Sequence, residues 1–560
     1  MADAVTPKAP ETVNLTIDGK PVHVPKGTNL IEAAKTIGVE IPHYCYHPHL
    51  SVAGNCRMCQ CSVKGQPKMT IACNTQVAEG MEVATHESSK DVADAQAATL
   101  EFILINHPLD CTVCDQAGHC KLQDYHFEYN ARSSRFIEEK VHKIKALPLG
   151  PNVMLDGERC IMCTRCIRFC DEITKTSELG MLNRGDKSVI AVSPGRELDN
   201  ELSGTVVDLC PVGALTHRQW RFNTRIWFTK QTESVCTGCS TGCNVKVAER
   251  DGNVVLVKAR RNDNVNKEWL CDEGRYGFGR FLPTRRVERV ERRGGGEALL
   301  ADALGALKGT LKTLTVLASP DLLVEEFYIL RQLMLRASSV SRAVIAYRGR
   351  TLTPVQEILV SPDYASNFRG AQLTGVIGED PQSEYNEILG KIRRKEIENV
   401  LILGDRAIDP KDMDDALLEG LGSAKVSVGV LTDAESPVTK VLSYTVPGRS
   451  ILEKSGLLLN RALRLQYAQA VVPLRDGTVP EWRFLAQLSE AAGAKVVSAD
   501  TRVMNDRELT RWYLSTDPII ASQGLTIQLI KAGGVQLQTS TRQATSNGEG
   551  AVGQGVSAAV

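Results

Sequence analysis

Seventeen cysteines lie between Cys45 and Cys271, and the stretch from there to residue 560 contains none. In a chain without an export signal such thiols stay reduced, and an odd number cannot all pair. The clustering therefore points to metal or cluster ligation and away from a disulfide framework. Cys45, Cys56, Cys59 and Cys73 follow the spacing C-x10-C-x2-C-x13-C. Two irons need four thiolates. A tight C-x2-C holds one edge and the distant cysteines close the other, so this set is read as the seat of one 2Fe-2S cluster. Gly54, just before Cys56, lets the backbone run close to inorganic sulfide. A structural zinc site, the bland alternative, usually shows two short Cys pairs, and here there is one. Cys61 is left over as a buried free thiol.

Three further sets accommodate 4Fe-4S clusters. Cys111, Cys114 and Cys120 would leave one iron of a cubane without a protein ligand, and His107 supplies it in NHPLDCTVCDQAGHC. His119 competes for that role, but beside Cys120 it would strain the short loop. In the third set, CIMCTRCIRFC follows at first sight the C-x2-C-x2-C-x3-C run of two-cluster ferredoxins, whose fourth Cys precedes Pro. Cys170 instead precedes Asp171, and the Cys-Pro pair stands at Cys210 and Pro211. The economical set is Cys160, Cys163, Cys166 and Cys210, with Cys170 a spare thiol or a substitute ligand. The fourth set is Cys236, Cys239, Cys243 and Cys271, spaced C-x2-C-x3-C-x27-C.

The elements around these loops are legible from pattern. Residues 11–25 alternate as two strands about an Asp18-Gly19 turn. Thr28 is read as the cap of a helix over 29–37 that Gly38 closes. Residues 91–106 form one Ala-rich helix stopped near Pro108. Segments near 313–319, 342–348, 399–405 and 425–432 are short β-branched runs alternating with helical stretches, which predicts βα units and a parallel sheet. The expected organisation is α+β and multidomain. A ferredoxin-like two-iron domain spans 1–86, a His/Cys four-iron helical domain 87–150 and a ferredoxin-like four-iron domain 151–230. An extra four-iron domain comes next at 231–290, then an α/β domain at 291–532 and a disordered Gly/Ser/Thr/Gln-rich tail at 533–560.

Lys+Arg and Asp+Glu are each 66, and this zero net charge argues against nucleic-acid binding. The 42% hydrophobic content supports packed cores, yet no apolar run reaches membrane-spanning length. The start MADAVTPKAPET has neither an apolar h-region nor Arg, so the protein is expected in the cytoplasm or on its face of a membrane. No G-x-G-x-x-G follows a strand to hold NAD.

The order of the sets, with HPLDCTVCDQAGHCKLQD, ERCIMCTRCIRFC, DLCPVGAL and LCDEGRYGFGRF, resembles the large iron–sulfur subunit of bacterial NADH-quinone oxidoreductase, respiratory complex I. The match is dense from about residue 12 to 282. The resemblance implies one 2Fe-2S and three 4Fe-4S clusters on the four sets, the fourth being typical of some bacteria and missing from mitochondrial members. It implies an electron relay without an active site of its own, working within a translocase that moves protons. The main wire would run through the second and third sets, with the two-iron cluster near its start and the fourth off the path. Expected partners are an FMN/NADH-binding subunit, a small two-iron subunit, a two-cluster ferredoxin-like subunit and quinone-site subunits. The location would be peripheral, on the cytoplasmic side of the bacterial inner membrane.

Downstream, YTVPGRSILEKSGLLLNRALRLQ and PEWRFLAQLSEAAG resemble molybdopterin oxidoreductases such as formate dehydrogenase. The region is therefore expected to be a degenerate α/β domain without molybdenum. It has no Cys ligand, and Glu273 stands where many of those enzymes have Lys, which reverses the charge there. An NAD-linked formate dehydrogenase subunit is the alternative function. An iron-only hydrogenase shares the N-terminal sets but needs cysteines beyond 272.

Overall fold

The computed structural model describes residues 11–337, 340–498, 500–501 and 503–538. Strands Thr12–Ile17 and Lys20–Pro25 pair antiparallel across Asp18 and Gly19, both at positive φ, as the Asp-Gly signature requires. Alternation sends Val13, Leu15, Ile17, Val22 and Val24 into a core roofed by helix Leu30–Thr36. Asn29, not Thr28, caps that helix: its side chain accepts from Glu32 N at 3.0 Å. Thr28 instead donates to the Pro25 carbonyl at 2.6 Å and ends the hairpin. Strands Glu82–Ala84, Gln60–Val63 and Thr70–Ile71 complete a five-stranded sheet.

Helix Lys90–Leu104 begins one residue before the expected start, where the Ser89 side chain accepts from Val92 N. It buries Val92, Gln96, Ala97 and Leu100 on one face. Regular structure is then sparse until the three-stranded antiparallel sheet Lys230–Val235, Asn244–Arg250 and Asn253–Ala259.

The second half differs. Parallel strands Val340–Ile345, Leu314–Ala318, Asn399–Leu403, Val426–Leu431 and Tyr444–Pro447 lie side by side, with Val340–Ile345 at one end and the other four in chain order. Every residue of Leu314–Ala318 and Asn399–Leu403 is buried, the signature of strands covered on both faces. All four β-branched runs are parallel strands, as expected. Glu325 is fully buried and accepts from Leu457 N and Thr510 Oγ1. Beside it Lys454 pairs with Glu326 and Glu481 at 3.0 and 2.9 Å.

Two boundaries shift. Val535–Gln536 pairs with Arg464–Ala468, and Leu537 is buried, so the fold runs past 533. The rest of the expected tail, 539–560, lies outside the described residues. The fourth cysteine segment is not separable from the α/β region after it. Asn244 donates to Gln466 Oε1 at 2.5 Å, Gln466 to the Gly242 carbonyl at 2.9 Å, and Thr241 to the Leu359 carbonyl at 2.8 Å. Buried polar groups satisfied across this boundary make it an internal interface.

Candidate functional site

The first set occupies the loop between helix Leu30–Thr36 and strand Gln60–Val63, with Cys73 arriving from the turn after Thr70–Ile71. Cys45, Cys59 and Cys73 are buried and Cys56 is half-buried. Cys45 N donates to Cys56 Sγ at 3.5 Å. The Cys45 thiol is held down by its hydrogen bond from Cys56, with Arg168 adding to the effect. Cys59 is raised by Cys73 and by burial. Cys61 points into the domain core, fully buried, its thiol pushed up to about 12 by desolvation.

In the second set Cys111 is exposed while Cys114 and Cys120 are buried. His107 is pushed down to about 4 by burial and then by Lys140 and Arg159, so it presents a neutral imidazole. Its Nδ1 has no partner. Arg159 also neighbours Cys114. The charges nearest His119 are instead Lys258 and Lys246, which belong to the fourth segment's sheet. The two histidines thus face different neighbours, and His107 shares its neighbour with a thiol of the set.

Cys160, Cys163, Cys166 and Cys210 line one cavity of about 380 Å³, walled by Leu155, Ile190, Val212 and Ala214. Burial pushes Cys160, Cys163 and Cys210 up to about 11. Backbone N–H groups of Met162, Arg165, Val212, Ala214 and Leu215 reach these sulfurs and oppose that rise. Met162 and Thr164 sit at φ 55° and 61°, as Arg57 does at 57° between Cys56 and Cys59. Left-handed residues between these cysteines turn successive N–H groups toward one concavity. None is Gly or Asn, so no sequence signal marked them. Cys170 is fully buried in the π turn Phe169–Ile173 beside Glu178 and does not line the cavity.

Cys236, Cys239, Cys243 and Cys271 line a cavity of about 300 Å³ together with Glu273, Gly274 and Arg350. Gly238, Ser361 and Gly274 donate backbone N–H to Cys236, Cys239 and Cys271 at 3.4, 3.5 and 3.3 Å. A β-carbon on Gly274 would stand 3.1 Å from Cys236 Sγ and 3.3 Å from Cys271 Sγ, so only Gly leaves the cavity open there. The charge reversal expected at Glu273 does not occur. Arg350 Nη1 and Arg280 Nη1 both donate to its carboxylate, at 2.7 and 3.1 Å, and supply two cations to one anion.

Among the described residues no three His, Cys, Asp or Glu side chains converge on a point that a single ion could fill. The thiols of the third and fourth sets each ring a cavity instead, which suits multi-atom clusters better than zinc.

The sets adjoin in a definite order. Arg168 Nη2 donates to the Cys45 carbonyl at 2.6 Å and to the Cys163 carbonyl at 3.2 Å, joining the first set to the third. Asn55 adds a bond to the Met162 carbonyl at 3.1 Å. Cys120 Sγ lies 4.0 Å from the Pro211 carbonyl, and any β-carbon on Gly213 would collide with Cys114 Sγ. The second set therefore rests on the loop that carries Cys210. The fourth set connects sideways: Arg275, one turn after Cys271, pairs with Asp208 at 2.7 Å, two residues before Cys210.

Folded loops of this kind define a multi-cluster iron–sulfur protein. Residues 10–88 match the 2Fe-2S iron-sulfur cluster binding domain, and 96–135 the NADH-ubiquinone oxidoreductase-G iron-sulfur binding region. Residues 150–216 match the NADH-quinone oxidoreductase subunit 3, ferredoxin-like domain, and 229–281 the Molybdopterin oxidoreductase Fe4S4 domain. The NADH-quinone oxidoreductase G subunit of Rickettsia conorii is 34% identical over 378 residues, 66% of this chain and 56% of that protein. The mitochondrial NADH-ubiquinone oxidoreductase 78 kDa subunit of Neurospora crassa is 36% identical over 418 residues, 72% and 56% of the two chains. The corresponding G subunit of Streptomyces coelicolor is 40% identical over 277 residues, 50% and 33%. The matched part is about half the length of the first two relatives and a third of the last. Over the matched residues the chain is similar to NADH-quinone oxidoreductase G subunits.

Proposed function

We propose that this chain is an electron-relay subunit of an NADH:quinone oxidoreductase. It would receive electrons from a flavin- and NADH-binding subunit and pass them toward quinone, in a complex that couples the transfer to proton movement. One observation carries the reading: the first, third and second cysteine sets abut in that order, through Arg168 and then through Pro211 and Gly213. The ligands would be Cys45, Cys56, Cys59 and Cys73; His107, Cys111, Cys114 and Cys120; Cys160, Cys163, Cys166 and Cys210; and Cys236, Cys239, Cys243 and Cys271. Iron–sulfur clusters held there supply one-electron oxidation and reduction. The protein's part is to fix their spacing, exclude water and aim N–H groups at sulfur.

The exposed Cys111, flanked by exposed Leu109 and Val113, marks the end of the row nearest the surface. It is the place where a two-cluster ferredoxin-like partner would dock. The fourth set, tied in through Arg275, lies beside the row. No helix among the described residues is long and apolar enough to cross a membrane, which accords with a peripheral subunit held by partners.

The cleft over the carboxyl ends of the parallel strands does not suit a molybdenum cofactor. Its guanidinium groups are engaged: Arg280 with Glu273, Arg348 with Asp409 and Asp412, Arg406 with Asp321. A polyanionic pterin would compete with these carboxylates for the same guanidinium groups. The formate dehydrogenase alternative loses support with it. Metal analysis of the purified chain tests all of this: about fourteen irons, matching acid-labile sulfide and no molybdenum are expected. Stoichiometric molybdenum, or zinc in place of iron, overturns the assignment.

A further inference from the structure

Where the second cysteine loop, the Cys210 segment and the fourth segment's sheet meet, a half-open cleft forms. Its walls are mostly apolar, with Leu215, Trp220, Ile226 and Leu256 prominent. The polar groups are few and unevenly charged. Lys258 and Arg221 both line the cleft, and neither forms an ion pair among the described residues. Lys258 also sits directly across the sheet from Lys246, an unfavourable like-charge placement that a bound anion would relieve. The nearest candidate counter-charge, Asp208, is committed to Arg275 at 2.7 Å and to Ala259 N at 3.0 Å. Asp115 is the one carboxylate in the lining, and it accepts from Phe222 N at 3.1 Å.

Two imidazoles add directional capacity. His217 lines the cleft with its side chain only 4% exposed. Its Nδ1 is taken by the Tyr276 hydroxyl at 2.9 Å, while Nε2 has no hydrogen-bond partner and lies 4.0 Å from Asp208 Oδ1. His119 Nδ1 and Arg221 Nε are likewise buried without partners. Buried polar atoms left unsatisfied beside an open apolar space indicate a missing ligand or ordered water.

We propose that this cleft binds a small, flat aromatic molecule carrying one negative charge, with its ring on the apolar walls and its anionic group at Lys258. A bare inorganic anion would leave those walls facing water, and a neutral aromatic would leave Lys258 without an ion-pair partner, whereas Arg221 already has Asp115 and the Phe222 ring beside it. Such binding depends on the cleft alone and not on the electron-relay role.

Isothermal titration of the full-length, cluster-loaded chain with 2-naphthoate and with neutral 2-naphthamide tests it. Expected is saturable one-site binding, with the carboxylate at least about tenfold tighter than the amide, the weight of a charge-assisted contact. Lys258→Met should remove that preference, and Arg221→Gln should weaken it. Val255→Trp, at the partly exposed wall, should block both compounds, with thermal melting used to verify that each variant is folded. Absence of saturable 2-naphthoate binding, or affinity unchanged in both Lys258→Met and Arg221→Gln, overturns the proposal.

Discussion

The halves of this chain solve opposite problems. Residues 311–447 build a parallel sheet whose central strands are buried on both faces, and that burial alone is a large driving force. Residues 45–230 are mostly loop, turned by left-handed Arg57, Met162 and Thr164 and tied by side chains to backbone carbonyls. Such loops carry backbone cost that only short strands and a cysteine-containing core offset. The first half is therefore expected to depend on clusters bound at its cysteines more than the second half does.

Removing iron is the strongest way to test that contrast. Chelation under reducing conditions should unfold most of residues 45–230 while a cooperative thermal transition from the α/β half persists. One transition lost as a unit would show that the halves are not independent in this sense. Deleting residues 291–560 should come next in effect. It strips Gln466 and Leu359 from Asn244 and Thr241, and Ser361 from Cys239. The fourth site's paramagnetic signal should vanish, and those of the first three should remain.

A smaller effect belongs to the α/β half. Burial raises Glu325 from its ordinary 4.5 to about 7. The folded state then holds a proton that the unfolded chain has released, so stability falls as pH rises from 4.5 to about 7. The loss is about 3 kcal/mol for this carboxyl. Glu325→Gln should flatten that slope in denaturant melts across the same range. The subtlest effect concerns the imidazoles. His107→Cys should keep a four-iron signal but lower its potential, on the order of 100 mV, because thiolate is the more electron-rich ligand. His119→Ala should leave the signal in place; its loss there and survival in His107→Ala would exchange the two roles.

Spacing grouped the cysteines of the third and fourth sets, and each of those groups does line one cavity. The parallel strands were equally plain, since buried β-branched runs have few alternatives. What stayed hidden depends on distant partners. Glu273 looked like a charge reversal until Arg350, contributed from beyond residue 290, closed on it. The segment at 231–290 looked independent because the polar groups that anchor it are answered more than a hundred residues later. Thr28 and Asn29 are both good caps by type, and only the geometry of the hairpin exit chose between them. Residues 533–538 looked polar enough for a tail, yet the edge of Arg464–Ala468 recruits them.

Arg168 has one further consequence. Electron hopping weakens steeply with each ångström of gap, so a relay is only as fast as its widest interval is steady. A single guanidinium gripping the carbonyls of Cys45 and Cys163 acts as a spacer bar between two separately folded loops. In the proposed relay, that tie would hold the interval between the first and third sets when either loop moves.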